Sequence, residues 1–334
     1  MINTSVNGSN WMSTLDMSTP VTAFNIPGTH DSATKFCVAS LFSQTQCLTI
    51  EEQLYAGVRY FDMRFKLKNE EFICEHGLTD CKASGGLFSK KLYADDTVAV
   101  CKNFLKQNPG ETILFQLKED NTSSGDAFFE LFYKKYIEND KNSWFLENRT
   151  PTLAEAKGKM ILLRAVSISD AKFNDHNSGI NFRGYPYVGS TDTIDFRTGN
   201  ISLVDDPDKT YAKLFVQDSY KQKPSQKPTA MDAFIESQPD RNNYNINMAN
   251  CIGGFPSPVF TSYIINGFLE KYNFSGKGYF GIVAMDFVTD ELCRKIYMCN
   301  EMPNTPAPAT KCPSESKTTI TEKLFSLFRF FIKI

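Results

Sequence analysis

The sequence feature that most constrains the fold is a succession of apolar, strand-like runs separated by segments with apolar residues every three to four positions. The strand-like runs are 22–26, 58–65, 72–74, 112–117, 160–166, 214–217, 244–249 and 279–285. The segments with helical periodicity include 95–107, 126–137, 229–237 and 258–272. Strands that alternate with helices form parallel sheets, and eight such strands can form a barrel. The pattern predicts an α/β fold, an irregular (β/α)8 TIM barrel in which the helices after the second and fifth strands are missing.

The 334-residue chain divides into a barrel and a C-terminal extension. We expect the barrel to occupy residues 10–298. Residues 299–318 are rich in proline, serine and threonine, which is typical of a flexible linker. Residues 319–334 are apolar with interspersed lysine and arginine. This tail is too short to span a bilayer, so we expect it to lie on a membrane surface or to dock on the barrel.

Charge and composition narrow the function classes. The net charge is -2, whereas a nucleic-acid-binding domain usually carries a basic surface, so we expect no nucleic-acid partner. The N-terminal segment lacks the basic and apolar regions of a secretory signal, and no window has the roughly 18 apolar residues of a transmembrane helix. These features favour a cytoplasmic or peripheral membrane location.

The nine cysteines do not form tight C-x-x-C pairs. Such a pattern is typical of buried thiols in a reducing compartment rather than of a zinc site. In an oxidising compartment Cys74 and Cys81 could pair instead.

Ionisable residues follow nearly every predicted strand, at the end of the barrel where active sites of this fold lie. Packing alone does not explain them, because burying a charge without a partner is costly. Two of the three histidines belong to this set. The candidates are His30, Asp31, Asp62, Arg64, His76, Lys118, Asp120, Arg164, Asp218, Tyr220 and Asp286.

These residue types suit phosphodiester cleavage without a metal. One imidazole can accept a proton while the other donates one, and a carboxylate can fix the tautomer of each. An arginine can bind a phosphate through two hydrogen bonds. The third histidine, His176 in FNDHNSG, lies outside this context, and we interpret it as structural.

A series of motifs resembles, in the same order, the X-type catalytic domain of phosphatidylinositol-specific phospholipase C, above all the bacterial single-domain enzymes. The motifs are NWMSTL, NIPGTHDSAT, GVRYFDMR, CEHG, NPGETILFQLKED, PTLAEAKGKMILL, VQDSY and AMDF. GTHDS and FDxR together are diagnostic of this family. The resemblance implies that the barrel is catalytic. It also implies cleavage of phosphatidylinositol or glycosyl-phosphatidylinositol to diacylglycerol and inositol 1,2-cyclic phosphate.

The resemblance further implies roles for individual residues. His30 would be the general base on the inositol 2-hydroxyl, steadied by Asp286. His76 would be the general acid on the diacylglycerol oxygen, assisted by Asp31. The residues implied to bind the substrate are Asp62, Lys118, Arg164, Asp218 and Tyr220.

Two positions depart from patterns found in the family. Arg164 stands in LLRAV where the family usually has LLKRY, so it falls one place early, and strand alternation would turn it outward. Eukaryotic signalling members carry an asparagine after the first histidine and acids that bind calcium, whereas Asp31 follows His30 here. Arg64 stands where a calcium-ligating acid would be expected, and a guanidinium cannot bind Ca²⁺. We therefore expect no metal and no cofactor, with Arg64 neutralising the phosphate and Asp62 positioning it.

A lipid substrate implies that the enzyme works at a membrane surface, and no obligate protein partner is evident. Apolar residues near Lys90 and Lys91 suit either interfacial docking or ordinary packing. They are Phe36, Val38, Leu41, Phe42, Leu87 and Phe88. Two other functions stay open. One is a catalytically weak inositol-lipid-binding module, and the other is a metal-dependent glycerophosphodiester phosphodiesterase on the same barrel.

Overall fold

The computed structural model describes residues 6–37, 40–86, 88–121, 124–186, 194–253 and 257–300. The predicted tail, 319–334, and nearly all of the predicted linker lie outside these residues. The strands are β1 (Ile26–Thr29), β2 (Tyr60–Lys68), β3 (Glu71–His76), β4 (Thr79–Asp80), β5 (Ile113–Glu119), β6 (Trp144–Phe145), β7 (Met160–Arg164), β8 (Ile180–Asn181), β9 (Phe196–Ser202), β10 (Thr210–Gln217), β11 (Tyr244–Ala249) and β12 (Ile282–Met285). The α-helices are α1 (Ser40–Ser43), α2 (Ile50–Ala56), α3 (Ala94–Gln107), α4 (Asp126–Tyr136), α5 (Leu153–Ala156), α6 (Lys227–Glu236), α7 (Pro258–Lys271) and α8 (Asp290–Tyr297).

The described strands form one mixed sheet that curves into an incomplete barrel. Its order is β6-β7-β5-β2-β1-β12-β11-β10-β9. Neighbours from β7 to β10 along this path pair in parallel. β8 adds a further parallel strand to β7, whereas β9 runs antiparallel to β10. In the described part of the chain, no hydrogen-bonded ladder closes the sheet into a complete barrel.

The first strand begins later than the sequence predicts. The run 22–26 followed by Pro27 and Gly28 indicates a strand that ends at a turn, yet both residues belong to β1. Proline has no backbone N–H to donate to a neighbouring strand. It is tolerated at position 27 because the pairing of β1 with β2 begins only at Gly28. A Cβ on Gly28 would lie 2.8 Å from the Tyr60 ring. The glycine therefore permits close strand packing rather than a turn, and β1 ends immediately before His30.

The run at 72–74 was wrongly predicted to be a barrel strand. β3 instead pairs antiparallel with β2, with Lys68 opposite Glu71. The two connecting residues, Asn69 and Glu70, both have positive φ angles, of 52° and 60°, as a tight hairpin turn requires. Two short strands, β6 and β8, pair in parallel with β7, and neither stands out in the sequence. The hairpin folds the chain back toward the barrel and brings His76 with it.

The other elements largely follow the predicted pattern. β11 has the predicted bounds, and α3, α4, α6 and α7 each agree with prediction to within two residues. No α-helix lies between β2 and β3 or, among the described residues, between β7 and β10, as the sequence predicts. The predicted irregularity is therefore present in the architecture.

Aromatic packing supports the strands that carry the candidate site. Phe65 on β2 stacks on Phe115 of β5, with ring centroids 6.4 Å apart. Phe132 on α4 lies 5.5 Å from Phe72 of β3 and 6.1 Å from Trp144. All five side chains are almost completely buried. This cluster fixes β2, β3 and β5 relative to one another, and with them the side chains at their ends.

Candidate active site

The candidate site lies where the carboxyl ends of neighbouring parallel strands meet. Thr29 of β1 is in register with Met285 of β12, so the next residues, His30 and Asp286, leave the sheet side by side. The buried side chain of Gln46 donates hydrogen bonds to the carbonyl oxygens of His30 and Met285, at 2.8 and 2.9 Å. The two strand ends are thus held together at the point where the functional side chains begin.

The ring of His30 is held between carboxylates. Its Nδ1 lies 2.8 Å from Oδ1 of Asp286, and its Nε2 lies 3.1 Å from Oδ2 of Asp31. A carboxylate can only accept, so Asp286 requires a proton on Nδ1 and leaves Nε2 as the basic nitrogen of the neutral ring. Burial lowers the pKa of His30, but the charges of Asp31 and Asp286 outweigh it and raise the pKa to about 8. His30 is positioned as a proton acceptor through Nε2.

His76 reaches the same carboxylate from the hairpin. Its Nδ1 lies 2.7 Å from the carbonyl oxygen of Ser43, and its Nε2 lies 3.1 Å from Oδ2 of Asp31. Both partners can only accept, so a ring nitrogen that carries a proton has a partner to donate it to. The centroids of the two imidazoles are 6.2 Å apart. His76 is therefore arranged as a proton donor opposite His30.

Asp31 connects the two histidines to Arg64. Its φ angle is 41°, and the Thr34 hydroxyl donates to its carbonyl oxygen at 2.9 Å. Its Oδ1 lies 2.6 Å from Nε of Arg64, while its Oδ2 faces both imidazoles. Burial raises the pKa of Asp31, but Arg64 and the two histidines bring it below its ordinary value. Asp31 is therefore ionised at neutral pH.

Asp62 orients the guanidinium from the same strand. Its Oδ2 accepts from Nε and Nη2 of Arg64, at 3.0 and 2.6 Å. Its Oδ1 accepts from Nε2 of Gln116 on β5 at 3.1 Å. Burial raises the pKa of Asp62, but Arg64 and Lys118 lower it well below its ordinary range. Asp62 thereby fixes the guanidinium of Arg64 beside the two histidines.

Three of these side chains could in principle bind a cation. Single ligand atoms of His30, Asp31 and Asp62 lie within 4.8 Å of one another. The guanidinium of Arg64, however, contacts the carboxylates of both aspartates at 2.6 Å. A divalent ion would have to displace this positive charge from the same carboxylates. The two carboxylates are therefore better suited to binding the Arg64 guanidinium than to binding a metal ion.

Three further predicted residues line the neighbouring strand ends. Lys118 on β5 is half-buried and in register with Arg64. Asp218 and Tyr220 follow β10, and the Tyr220 N–H donates to the carbonyl oxygen of Asp218 at 2.9 Å. Burial raises the pKa of Asp218, and the nearby charges of Lys227, His30, Arg64 and Lys118 only partly offset this. The region beside the two histidines thus contains both hydrogen-bond donors and acceptors.

Arg164 does not join the cluster, which corrects its predicted role in substrate binding. Its side chain is completely buried. Nε donates to the carbonyl oxygen of Ser178 at 3.0 Å and Nη1 to that of Val166 at 2.5 Å. The guanidinium also lies over the ring of Phe129 on α4, 5.7 Å from its centroid. Strand alternation turns this side chain into the layer between sheet and helix, where it is structural.

Sequence reasoning missed two buried polar residues at the site. Asn250 follows β11, and its Nδ2 lies 3.3 Å from Nε2 of His30. It could have been found, because it obeys the same strand-end rule as the other candidates. Lys227 at the start of α6 is completely buried and donates to Oε1 of Gln217 at 2.8 Å. No sequence pattern indicates that a lysine on a helix faces inward. The third histidine, His176, is exposed.

Comparisons with known proteins agree with the motif-based resemblance. Residues 17–165 match the family model of phosphatidylinositol-specific phospholipase C, X domain. A 1-phosphatidylinositol phosphodiesterase of Staphylococcus aureus is 28% identical over 297 residues, which cover 83% of this chain and 88% of that protein. Another from Listeria monocytogenes is 31% identical over 172 residues, covering 48% of this chain and 50% of that protein.

Solved structures show the same architecture. A mutant of the phosphatidylinositol-specific phospholipase C from S. aureus matches with a TM-score of 0.70 and 22% identity, covering 89% of this chain and 98% of that one. The enzyme from L. monocytogenes matches with a TM-score of 0.67 and 24% identity, covering 89% of this chain and 100% of that one. At these identities the likeness shows a shared fold, and the predicted barrel class is confirmed.

Proposed function

We propose that this chain, whose residues 17–165 match the family model of phosphatidylinositol-specific phospholipase C, X domain, cleaves the phosphodiester of phosphatidylinositol or glycosyl-phosphatidylinositol. The products would be diacylglycerol and inositol 1,2-cyclic phosphate. One observation carries the proposal: Nε2 of His30 and Nε2 of His76 each lie 3.1 Å from the same oxygen of Asp31. Two imidazoles that face one small space can take and give a proton on the two sides of a phosphorus atom.

The proposed reaction is an intramolecular transfer. Nε2 of His30 removes the proton of the inositol 2-hydroxyl, and the resulting oxygen attacks phosphorus. The bond from phosphorus to the diacylglycerol oxygen then breaks, and Nε2 of His76 supplies the proton that this oxygen takes up. Asp286 stabilises the imidazolium formed on His30 through the hydrogen bond at Nδ1.

Arg64 is proposed to offset the negative charge that develops on the phosphate. It is held by Asp31 and Asp62 before substrate arrives, so little reorganisation is needed during the reaction. A fixed charge of this kind is more effective in a partly buried cleft than in water. Its side chain is 16% exposed, which leaves it accessible to a bound anion.

Lys118, Asp218 and Tyr220 are proposed to bind the inositol ring. The hydroxyl groups of inositol both donate and accept hydrogen bonds, so a mixed set of partners suits them. A carboxyl such as Asp218 can accept from two hydroxyls, and an ammonium can only donate to them. With Arg164 turned away, fewer positive groups surround the ring than the sequence predicts.

Exposed apolar side chains surround the proposed site. We define the apolar rim as Leu41, Phe42, Leu78 and Ile252, which are between 42% and 91% exposed. Each lies within two residues of Ser43, His76 or Asn250, so the rim borders the opening through which a lipid headgroup would enter. Among the described residues, no helix combines the length and the apolar character needed to cross a bilayer. We propose that the rim rests on the membrane surface that carries the substrate.

Assay on vesicles containing phosphatidylinositol, in excess EDTA, tests the whole proposal. We expect full activity, diacylglycerol in the lipid phase and inositol 1,2-cyclic phosphate in the aqueous phase, identified by phosphorus NMR. Loss of activity on chelation with recovery on adding Ca²⁺ would favour a metal-dependent phosphodiesterase instead. Vesicle binding without turnover would favour an inositol-lipid-binding module. A parallel assay on a glycosyl-phosphatidylinositol-anchored protein distinguishes the two headgroups.

A further inference from the structure

Two cysteines lie side by side at the edge of the candidate site. Cys37 and Cys81 form an isolated antiparallel β-bridge, and their sulfur atoms are 3.9 Å apart. Cys37 belongs to the segment that begins with the turn at His30, whereas Cys81 follows the hairpin that carries His76. The pair thus joins the two segments that supply the proposed base and the proposed acid.

The backbone geometry around the pair suits a disulfide. The Lys82 N–H donates to the carbonyl oxygen of Phe36 at 2.7 Å, so the adjacent Cys37–Cys81 position is a non-hydrogen-bonded pair. Cα atoms in such a pair are about 4.5 Å apart and their side chains share one face. Disulfides span Cα separations of roughly 4.4–6.8 Å. The bond therefore needs side-chain rotation and a small approach rather than a rearrangement of the chain.

Cys74, the partner that the sequence suggested for Cys81, is less suited to react. Cys74 and Cys81 are both completely buried, and both thiols have a pKa well above the ordinary value, raised by burial at Cys74 and by the contact with Cys37 together with burial at Cys81. Cys37 is only half-buried, so a small oxidant has better access to it than to either of the two buried thiols. Reaction therefore begins at Cys37.

We propose that Cys37 and Cys81 form a reversible disulfide that clamps the segment behind His30 to the hairpin carrying His76. The Cys37 thiolate attacks a low-molecular-weight disulfide, forms a mixed disulfide and releases one thiol. Cys81 then loses its proton, attacks the sulfur of Cys37 and releases the second thiol. The protein gives up two electrons and two protons, and the oxidant disulfide is reduced to two thiols.

The disulfide restrains the backbone segments that hold Asp31 and His76 in place. Sγ of Cys37 lies 3.4 Å from the carbonyl oxygen of Thr34 and 3.9 Å from that of Ser43. Ser43 accepts from the ring of His76, and Thr34 holds the backbone of Asp31. The bridge also closes a loop between positions 44 residues apart, which restricts the unfolded chain. Oxidation should therefore slow thermal unfolding of the site.

Incubating the full chain with glutathione disulfide tests the proposal. We expect non-reducing peptide mapping to show a Cys37–Cys81 linkage and two fewer free thiols per molecule. The melting temperature should rise by several degrees, and the half-life of heat inactivation should lengthen several-fold. Dithiothreitol should reverse all three effects.

Two variants make the test specific. Cys37→Ser should abolish the linkage and the gain in stability, whereas Cys47→Ser, which removes another half-buried thiol, should retain both. A Cys74–Cys81 linkage, a glutathione adduct on Cys37 that does not resolve, or a linkage without any gain in melting temperature would each overturn the proposal.

Discussion

At the residue scale, the candidate site depends on one carboxylate in an uncommon conformation. The left-handed backbone of Asp31, with φ of 41°, costs a non-glycine residue roughly 1–2 kcal/mol. Its side chain contacts two imidazoles and a guanidinium, and these charges offset the cost of burying it. Strain of this kind is often found where geometry serves catalysis.

Removing either imidazole of the pair should abolish most of the activity. General acid–base groups contribute roughly 10²- to 10⁴-fold, so His30→Ala and His76→Ala should each lower turnover on phosphatidylinositol vesicles by that factor. His176→Ala is the matched control and should behave like the wild type, because that histidine is exposed. Circular dichroism would establish that the variants fold. Near-normal turnover by either of the first two variants would exclude the mechanism.

The pKa of His30 predicts the pH dependence of the reaction. A general base must be unprotonated, and the pKa of His30 is raised to about 8. We therefore expect kcat/KM on a monomeric short-chain phosphatidylinositol to rise with pH, with a midpoint near that value. Asp286→Asn removes a charge that stabilises the imidazolium, so the midpoint should move to lower pH and the maximum should fall. An unchanged midpoint would mean that another group controls the rise.

Residue types in the site could be predicted, but the way in which their side chains meet could not. The strand-end rule finds His30, Asp62 and Arg64 because each strand continues to the barrel rim. Arg164 satisfies the same rule by position but faces the helix layer, as strand alternation predicts. The meeting of two imidazoles at one Asp31 oxygen depends on a hairpin and a left-handed residue, neither of which local apolar patterning shows.

At the element scale, the β2–β3 hairpin is the feature that most changes the predicted architecture. It reverses the chain directly after Lys68 and returns His76 to the level of the site. The strand-like pattern of 72–74 was real, but pattern alone does not separate an antiparallel neighbour from a parallel one.

The apolar rim predicts a separation of lipid binding from catalysis. Phe42→Ser and Leu78→Ser remove side chains that are largely exposed in the free protein, so the melting temperature should stay unchanged. Burying one such side chain is worth roughly 1.5–3 kcal/mol, and the double variant should bind vesicles at least about tenfold more weakly. Activity on a monomeric short-chain substrate should persist.

A surface far from the rim provides the control for this prediction. Met298 is also exposed, just beyond the C-terminal end of α8. Met298→Ser should leave vesicle binding at the wild-type level. Equal losses in the rim and control variants, or equal losses on vesicles and on monomeric substrate, would show that the rim does not mediate docking.

At the scale of the whole molecule, the two ends of the barrel have different tasks. The carboxyl ends of the strands carry the candidate site, while the amino ends are closed by packing and a buried ion pair. Arg59 precedes β2 and Glu111 precedes β5, and neither is more than 1% exposed. Glu111 also accepts from the backbone N–H groups of Met12 and Ser13, at 3.2 and 2.8 Å. These hydrogen bonds hold Met12 and Ser13 against the end of the barrel formed by the amino ends of the strands.

Glu111→Gln should therefore destabilise the fold without altering the chemistry. It leaves the guanidinium of Arg59, which lies 4.6 Å from the centroid of Phe104, without its only charged partner among the ion pairs of the described residues. Breaking a buried pair in this way costs about 3–5 kcal/mol, measurable by denaturant unfolding. Asp206→Asn, which breaks an exposed pair with Lys209, should leave stability close to that of the wild type.

Well below the melting temperature, kcat of Glu111→Gln should match the wild type, because the ion pair lies at the end opposite the two histidines. A loss of kcat with unchanged stability would show that the two ends of the barrel are coupled.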